Sequence, residues 1–413
     1  MKTVLIVGAG IVGVSSAIWL QRAGYRVIIV DRFGPASGAS HGNAGILAAG
    51  SIMPIPSPSL LKKLPLILLS NNSPVFLKTS YLPKLLPFLL GYLSHSTTKG
   101  VEKYAKAMAP LIHDSVQQHM SLAKGTEAEE FIKEVDYCFG YETEKDFSLD
   151  HSVWDLRKEL GFKSEICQGS DFSKVDSFYE GLFKVVVRCK NHGRISDPGR
   201  YIKALSDHFI SQGGELIISN VQDINFRGKN YVRTIIDGDT ITSDKVIIAT
   251  GAWSKDLIKK FGLKIPLESE RGYHIEFIKP QIYPRVPMMV TSKKFVITPM
   301  NGRIRAAGLV EFAGLKAGSR RGPIKLLKRQ MKNLFPNLKY EQEIEWLGHR
   351  PALTDSLPML GHIDQEKRLF LAFGHQHLGL TGGAKTGRIV SDLIMGKNIN
   401  LNVSNYRPDR FTN

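Results

Sequence analysis

The chain begins with a short apolar run, Val4 to Val7, that leads directly into the glycine-rich turn GAGIVG. Its glycines, Gly8, Gly10 and Gly13, have the spacing GxGxxG, and Val12 to Leu20 continue with helical apolar spacing. In such a strand, turn and helix, the glycines allow a tight turn, a close approach of backbone to a pyrophosphate, and close helix packing. The helix N-terminus faces the phosphates with its positive dipole end. The pattern predicts an α/β fold with a dinucleotide site at its amino end.

A carboxylate follows the second predicted strand. Arg26 to Val30 form an apolar run that ends at Asp31, about 20 residues after the glycines, where a carboxylate accepts hydrogen bonds from an adenosine ribose. Because Asp31 would repel a 2′-phosphate, the sequence favours NAD or FAD over NADP. FAD is favoured further because residues 34–50, GPASGASHGNAGILAAG, are almost all small and let the chain run close to an extended ligand.

Composition limits the remaining classes. The 413 residues are 43% hydrophobic and carry a net charge of +17, which attracts anionic partners without choosing among them. The three cysteines, Cys138, Cys167 and Cys189, have neither CxxC nor zinc-site spacing, so we expect a reducing, cytoplasmic setting and no metal. The first 20 residues could also pass for a signal peptide, but we favour the strand, turn and helix.

Three later segments add to the α/β pattern. Lys245 to Ala249 predict a buried strand that ends in a Thr-Gly turn, and Leu369 to Phe373 predict another, followed by a glycine-rich turn and a helix from about Thr381. The start of that helix could stabilise negative charge on a reduced flavin. Two further strand-like runs are joined by Asn301-Gly302, which predicts a hairpin with a type I′ turn.

Several motifs together resemble the glycine oxidase and D-amino acid oxidase superfamily of FAD-dependent amine oxidoreductases, nearest to its D-amino acid dehydrogenase branch. They are GAGIVG, Asp31, SGASHGNAG, VIIATGAWS, GHRPALTDSLPMLG and GHQHLGLTGG. The resemblance implies a Rossmann-like FAD-binding domain interleaved with a substrate domain built on an antiparallel sheet. We expect the FAD domain to use residues 1–50, 191–255 and 346–413, and the substrate domain to use 51–190 and 256–345.

The resemblance also implies which residues contact FAD. Some relatives attach FAD covalently through a histidine in the early segment, but that position falls on Gly42 here, one residue from His41, so we expect non-covalent FAD. The expected FAD-contacting residues are Gly8, Gly10, Ile11, Val12, Gly13, Asp31, Arg32, Ser40, His41, Asn43, Ala44, Gly45, Ile46, Val221, Thr250, Gly251, Trp253, Gly379, Leu380 and Thr381.

Three residues are the expected catalytic group. Arg350 matches the arginine that pairs with the substrate carboxylate in related oxidases, and its planar fork suits bidentate carboxylate binding. Tyr273 and His274 match, more loosely, the groups placed over the substrate. The implied reaction is oxidation of a D-amino acid, possibly proline- or hydroxyproline-like, by hydride transfer to flavin, giving an imine or 2-oxo acid.

The electron acceptor and rival functions stay open at this point. We expect a quinone or carrier protein as acceptor in preference to oxygen. The alternatives are an oxygen-using glycine or sarcosine-type oxidase and a flavin-dependent tRNA-modifying enzyme. Because no basic run is interleaved with aromatic residues, we expect no nucleic-acid partner.

Residues 54–93 form a leucine-rich insertion interrupted by prolines. It predicts short helices that pack on the substrate domain, close over it as a lid, or touch the inner face of a membrane with Lys62, Lys63, Lys78 and Lys84 near anionic lipid. No apolar run reaches the ~20 residues needed to span a bilayer.

Overall fold

The structure is a computed structural model that describes residues 1–55, 73–228 and 230–411. Its described strands fall into two large and two small sheets. In chain order they are β1 (Thr3–Val7), β2 (Arg26–Asp31), β3 (Ile46–Leu47), β4 (Val75–Leu77), β5 (Ile132–Glu134), β6 (Tyr137–Tyr141), β7 (Ser164–Gln168), β8 (Val185–Cys189), β9 (Gly193–Ile195), β10 (Glu215–Ile218), β11 (Val221–Arg227), β12 (Tyr231–Ile236), β13 (Asp239–Ser243), β14 (Lys245–Ile248), β15 (Leu267–Ile278), β16 (Met288–Val290), β17 (Phe295–Met300), β18 (Arg303–Phe312), β19 (Gln342–Leu353), β20 (Met359–His362) and β21 (Leu369–Phe373).

The helices connect and cover these sheets. The α-helices are α1 (Ile11–Arg22), α2 (Leu82–Ser94), α3 (Thr98–Ile112), α4 (Ser115–Ala123), α5 (Glu144–Leu149), α6 (His151–Glu159), α7 (Gly169–Val175), α8 (Pro198–Ser211), α9 (Ser254–Ile258), α10 (Arg321–Leu334) and α11 (Gly379–Met395). Short 3-10 helices cover Thr79–Tyr81, Glu127–Phe131, Ser177–Tyr179, Gly251–Trp253, Lys259–Phe261, Gln376–Leu378, Val403–Tyr406 and Pro408–Phe411.

The first large sheet has six strands in the order β10-β2-β1-β14-β21-β20, all parallel except β20. Its central strands, β1 and β14, are apolar after their first residue because both faces of the sheet are covered. Val4 and Ile6 pack in one core with α1, α8 and α11, whereas Leu5 and Val7 pack in another with the β11-β12-β13 sheet. This arrangement confirms the predicted parallel α/β fold and brings the strand ends to one edge, where ligands bind in such sheets.

The second large sheet runs β19-β15-β18-β17-β16-β6-β8-β7, with β4 also paired to β18. It is antiparallel except at β16-β6 and β4-β18. The hairpin at Asn301-Gly302 is confirmed, but the type I′ turn is wrong: Gly302 has φ +68°, while Asn301 does not have the positive φ that a type I′ turn requires.

The predicted domain boundaries can be compared with the positions of the strands in these sheets. All six strands of the parallel sheet fall within 1–50, 191–255 and 346–413. The predicted boundary at 345/346 lies inside β19, which pairs along its length with β15. The division into domains stays a prediction.

Residues 73–93 of the insertion lie against the second sheet. Strand β4 extends it, and α2 packs Leu85, Phe88 and Tyr92 against Phe312 and Ala352. The predicted contacts of Lys62 and Lys63 lie outside the described residues. Among the helices that the structure describes, none combines the length and apolar character needed to cross a bilayer.

Candidate active site

A cavity of about 2050 Å³ lies between the two large sheets. One side is lined by the ends of β1 and β2 and by residues 37–40 and 42–46, and the other by strands from β19 across to β6. Sites for drug-sized ligands measure roughly 300–1,000 Å³. This cavity therefore has room for a dinucleotide and a small substrate together.

The glycine turn has the close contacts that its sequence predicts. Gly8 has φ +110°, and a Cβ there would lie 2.6 Å from the Ala249 carbonyl oxygen. A Cβ on Gly13 would lie 1.9 Å from the Gly8 carbonyl oxygen. Asp31 Oδ2 accepts a 2.8 Å hydrogen bond from the Ala9 N–H, so the carboxylate also holds the turn. The side chain still lines the cavity, where an oxygen lone pair remains for a ribose hydroxyl.

The predicted cofactor residues converge on this cavity with two exceptions. Gly13 packs under the turn, and His41 lies near Trp346 with its ring 6.3 Å away; neither lines the cavity. The residues that do line it are Gly8, Gly10, Ile11, Val12, Asp31, Arg32, Ser40, Asn43, Ala44, Gly45, Ile46, Val221, Thr250, Gly251, Trp253, Gly379, Leu380 and Thr381. Their individual contacts with FAD stay predictions.

The start of α11 is tied to the small-residue segment. Thr381 Oγ1 donates to the Ile46 carbonyl at 3.1 Å and accepts from the Ala48 N–H at 3.2 Å. Both Ile46 and Ala48 line the cavity beside the helix start. An extended dinucleotide such as FAD fits this arrangement. Small residues line one side of the cavity, and a glycine turn and two helix N-termini face it.

Arg350 projects into the same cavity from β19. Its guanidinium lies over Gly272, where a Cβ would come within 2.3 Å of Cζ, so only glycine leaves room for it. Nη1 is 3.3 Å from Glu270 Oε1 and donates to the Leu309 carbonyl at 3.0 Å. These bonds hold one edge of the fork, and Nη2 and Nε keep donors that suit a carboxylate.

Glu270 is the buried counter-ion of Arg350. It is fully buried, and Oε2 accepts 2.8 Å from Gln376 Nε2, which also donates to the Tyr92 hydroxyl at 2.6 Å. Burial raises the pKa of Glu270, while Arg350 acts in the opposite direction. Leu309 and Gln376 have φ of +59° and +51°, and non-glycine residues in this region often mark functional sites. Sequence reasoning missed all three, and Glu270 gave no clear signal because Glu268, Ser269 and Arg271 beside it are also polar.

Tyr273 and His274 are neighbours on β15, so their side chains face opposite sides. Tyr273 lines the cavity and donates to Glu311 Oε2 at 2.6 Å; burial raises the pKa of Tyr273 to about 12. His274 Nδ1 donates to the Gly42 carbonyl at 2.8 Å, and its ring stacks on Trp346 at 5.0 Å. The structure thus brings Arg350 and Tyr273 to the cavity and keeps His274 outside its lining.

His377 is a cavity residue that sequence reasoning did not single out. Its side chain is exposed and lines the cavity between the two large sheets. Burial and the positive charge of Arg350 lower the pKa of His377 to about 4. The ring is therefore neutral near pH 7, and Arg350 is the nearby positive group.

Across residues 1–55, 73–228 and 230–411, no cluster of three or more His, Cys, Asp or Glu side chains has a geometry that could hold a metal ion. The cysteines Cys138, Cys167 and Cys189 are free thiols.

Comparisons with known proteins identify the family. Residues 3–393 match the family model "DAO: FAD dependent oxidoreductase". A D-amino-acid oxidase from Bradyrhizobium diazoefficiens is 34% identical over 417 residues, covering 99% of both chains. A D-amino acid dehydrogenase from Rhizobium rhizogenes is 26% identical, also covering 99% of both.

A solved structure with the same fold is glycine oxidase from Bacillus cereus, with a TM-score of 0.74 and 20% identity over 97% of this chain and 96% of that one. The match of nearly the whole chain to the family model confirms the resemblance drawn from the motifs and makes FAD its cofactor. The chain therefore belongs to the DAO family of FAD-dependent oxidoreductases.

Proposed function

We propose that this protein catalyses the FAD-dependent oxidative deamination of a D-amino acid, with cyclic, proline-like amino acids among the candidate substrates. The observation that carries the proposal is Arg350: a cavity-facing guanidinium with one edge fixed by Glu270 and the other edge free. Two relatives that match along their whole length are named for D-amino acid oxidation, which supports the same substrate class.

The residues of the chain bind and orient the substrate in this proposal. Arg350 binds the carboxylate bidentately and thereby fixes the position of Cα. Tyr273, held by Glu311, lies beside the substrate. The substrate amine reacts in its unprotonated form. FAD, when bound non-covalently along the predicted residues, accepts the two electrons and the hydrogen of the Cα–H bond.

His274 takes no direct part in this proposal, because its side chain bonds to the Gly42 carbonyl and stacks on Trp346. In this position His274 can hold the backbone of residues 41–45 in place. The imine product leaves and hydrolyses to a 2-oxo acid, or persists as a cyclic imine when the substrate is proline-like.

We propose a quinone or a carrier protein, in preference to oxygen, as the electron acceptor. Several relatives are named dehydrogenases, which supports this choice, whereas the relative at 34% identity is named an oxidase. Oxygen consumption during turnover separates the two: uptake equal to product formed would overturn the proposal in favour of an oxygen-using amine oxidase. Turnover supported by a soluble quinone without oxygen uptake is the expected result.

A peripheral membrane contact at the inner face of the membrane fits a quinone acceptor. On α2, Leu82, Leu86 and Leu90 lie four residues apart on one face and are 42%, 49% and 62% exposed. Lys84 on the same helix and Lys78 just before it are exposed cations. Apolar side chains flanked by lysines suit an anionic bilayer surface.

Vesicle flotation tests this contact. The holoenzyme should float with vesicles that contain anionic phospholipid, and the Leu86→Glu/Leu90→Glu variant should not. Ile166→Glu, which changes an apolar side chain that is 60% exposed on β7, is the matched control. Wild-type protein that stays wholly in the soluble fraction would exclude the contact.

The substrate class is tested by the visible spectrum of the anaerobic holoenzyme during addition of D-amino acids, their L-enantiomers, D- and L-proline, glycine and sarcosine. Bleaching of the flavin bands by D-amino acids alone is the expected result. Bleaching by glycine and sarcosine alone would favour the amine oxidase alternative.

A further inference from the structure

The cavity extends beyond Arg350 into a second region, which we call the aryl lobe, lined by Tyr137, Phe139 and Tyr141 of β6 and by Arg157 of α6. Strand β6 lies five strand spacings from β19, which carries Arg350. With about 4.8 Å between neighbouring strands, the two backbones are about 24 Å apart along the sheet. The aryl lobe is therefore a separate region from the one around Arg350.

Arg157 is held rigidly at the base of this lobe. The residue is only 7% exposed, and its Nε donates to the Gly50 carbonyl at 3.0 Å. Its guanidinium carbon lies 4.2 Å from the centre of the Trp154 ring and 4.9 Å from the centre of the Phe139 ring. One hydrogen bond and two aromatic faces fix the plane of the fork, so its free edge has a defined direction.

In the part of the chain that the structure describes, no carboxylate forms an ion pair with this cation. Among the described residues, none of the ion pairs within 4.0 Å involves Arg157, and its Nη1 and Nη2 have no hydrogen-bond partner. The segments outside the described ranges, 56–72, 229 and 412–413, contain no Asp or Glu residue. The Nη atoms are also not sealed in the protein, since the side chain lines the cavity. Asp150 acts on the charge of Arg157 without forming an ion pair with it. A buried cation with no directly paired anion is costly, so an anionic group in the lobe would be favoured.

The other charged groups of the lobe define the ligand further. Asp150 lines it and accepts 3.0 Å from the Tyr141 hydroxyl, and Asp146, Asp155 and Glu159 line its more exposed part. A dianion would meet this acidic rim unfavourably. A molecule with one carboxylate directed inward and an amino group or apolar body outward is complementary to both.

We propose that Arg157 forms a second carboxylate-binding subsite, which takes a carboxylic acid whose body lies against the aromatic side chains of the aryl lobe. The carboxylate has two possible sources: the distal acid group of a long substrate whose α-carboxylate lies on Arg350, or a separate amino acid or carboxylic acid. Measurements of activity toward long substrates rest on the proposed function, whereas measurements of carboxylate binding do not.

The binding arm uses holoenzyme and sodium benzoate in calorimetric titrations. Arg350→Met removes the first carboxylate site, and Arg350→Met/Arg157→Gln removes both. We expect the single variant to retain a benzoate site whose affinity falls roughly 10- to 100-fold in the double variant, the range for a hydrogen-bonded charge pair. Arg157→Lys in the same background, which keeps the charge without the fork, should give an intermediate loss, and it replaces the Gln variant if that one does not fold.

The activity arm identifies the source of the carboxylate. Anaerobic flavin bleaching is compared for long D-amino acids that end in a carboxylate and for their counterparts that end in an amide, in wild type and Arg157→Gln. D-glutamate is too short to place its two carboxylates on both arginines. Loss of the preference for the acid in the variant assigns the distal carboxylate of the substrate. An unchanged preference together with loss of the benzoate site assigns a separate molecule.

Two results would overturn the proposal. The first is an Arg350→Met variant with no benzoate site together with an unchanged acid preference in Arg157→Gln. The second is an Arg157→Gln variant that slows every substrate equally and shifts the flavin spectrum, which would make the guanidinium a flavin contact. If no amino acid bleaches the flavin, the proposed function fails, but the benzoate titrations still test the subsite.

Discussion

The nucleotide-binding edge of the parallel sheet and the substrate-facing side of the second sheet carry function by different means. At the first, the working parts are backbone groups within one short stretch: the glycine turn and Asp31 are 22 residues apart along the chain. At the second, they are side chains held by distant partners, with Arg350 and Glu270 separated by 80 residues and Arg157 and Gly50 by 107. A local sequence pattern can specify the first kind of site, whereas tertiary packing assembles the second.

The largest expected effect comes from the local site. In Gly13→Ala the new Cβ would lie 1.9 Å from the Gly8 carbonyl oxygen, so the turn that approaches the pyrophosphate cannot keep its shape. We expect purified protein with almost no bound FAD, measured by the ratio of absorbance at 450 and 280 nm. Gly318→Ala is the control, since nothing lies within 4 Å of its added Cβ. A Gly13→Ala protein with full FAD content would refute the account of this turn.

The next effect concerns the substrate clamp. Arg350→Met should lose about 2–5 kcal/mol of transition-state binding, the cost of removing one partner of a desolvated charge pair. The measurement is kcat/KM for the best D-amino acid, with FAD content unchanged. Arg26→Met, which removes a surface arginine paired with Glu215, is the control and should be silent. An unchanged KM and kcat in Arg350→Met would show that Arg350 does not bind the substrate carboxylate.

Glu270→Gln tests whether the clamp depends on its buried counter-ion. The amide keeps the shape and can still accept from Gln376, but Nη1 of Arg350 loses its charged partner and keeps the Leu309 carbonyl. We expect kcat/KM to fall about tenfold through a less well positioned guanidinium. Glu341→Gln, on an exposed ion pair with Lys279, is the matched control. Equal kinetics in Glu270→Gln and wild type would show that the clamp needs no counter-ion.

The last effect is on stability and not on activity: the free energy of unfolding should depend on pH. Burial lowers the pKa of His119, His192 and His375 to about 4, against about 6.5 in an unfolded chain. Because the unfolded chain binds more protons between these values, stability should be full above pH 6.5 and fall as the pH drops toward 4. Urea unfolding of the holoenzyme should show a lower free energy of unfolding at pH 5.0 than at pH 7.5, by about 2 kcal/mol for each of the three histidines.

His119→Gln checks the origin of that dependence, since His119 bonds to the Tyr201 hydroxyl and the Leu380 carbonyl inside the protein. The variant should show a weaker pH dependence than wild type, and His95→Gln, at an exposed position, should not. Identical unfolding midpoints at the two pH values would contradict the burial of neutral imidazoles.

The sequence alone was sufficient to predict features that depend on residues close together in the chain. The GxGxxG turn, the strands ending at Asp31 and Phe373, and the Asn301-Gly302 hairpin all follow from local patterns, and the structure has them. The type of that turn was wrong because strand pairing around it, and not the dipeptide alone, sets its φ values.

Long-range contacts explain what the sequence did not reveal. His274 follows Tyr273 directly in the sequence. Only the orientation of the side chains on β15 shows that Tyr273 lines the cavity and His274 does not. Glu270 looks like any polar residue in a strand until Arg350 is found beside it. Arg157 belongs to a segment with no recognisable motif, and its significance appears only when the absence of a carboxylate partner among the described residues is combined with its burial.

The most direct test of the central claim is anaerobic titration of wild-type and Arg350→Met holoenzyme with D-amino acids while the flavin spectrum is recorded. The account predicts that the bands of the wild-type enzyme bleach at low substrate concentration and that the variant, with the same FAD content, bleaches only at far higher concentration. Bands that no D-amino acid bleaches in the wild type, or that bleach equally in both proteins, would contradict a D-amino acid oxidoreductase with Arg350 as its carboxylate clamp.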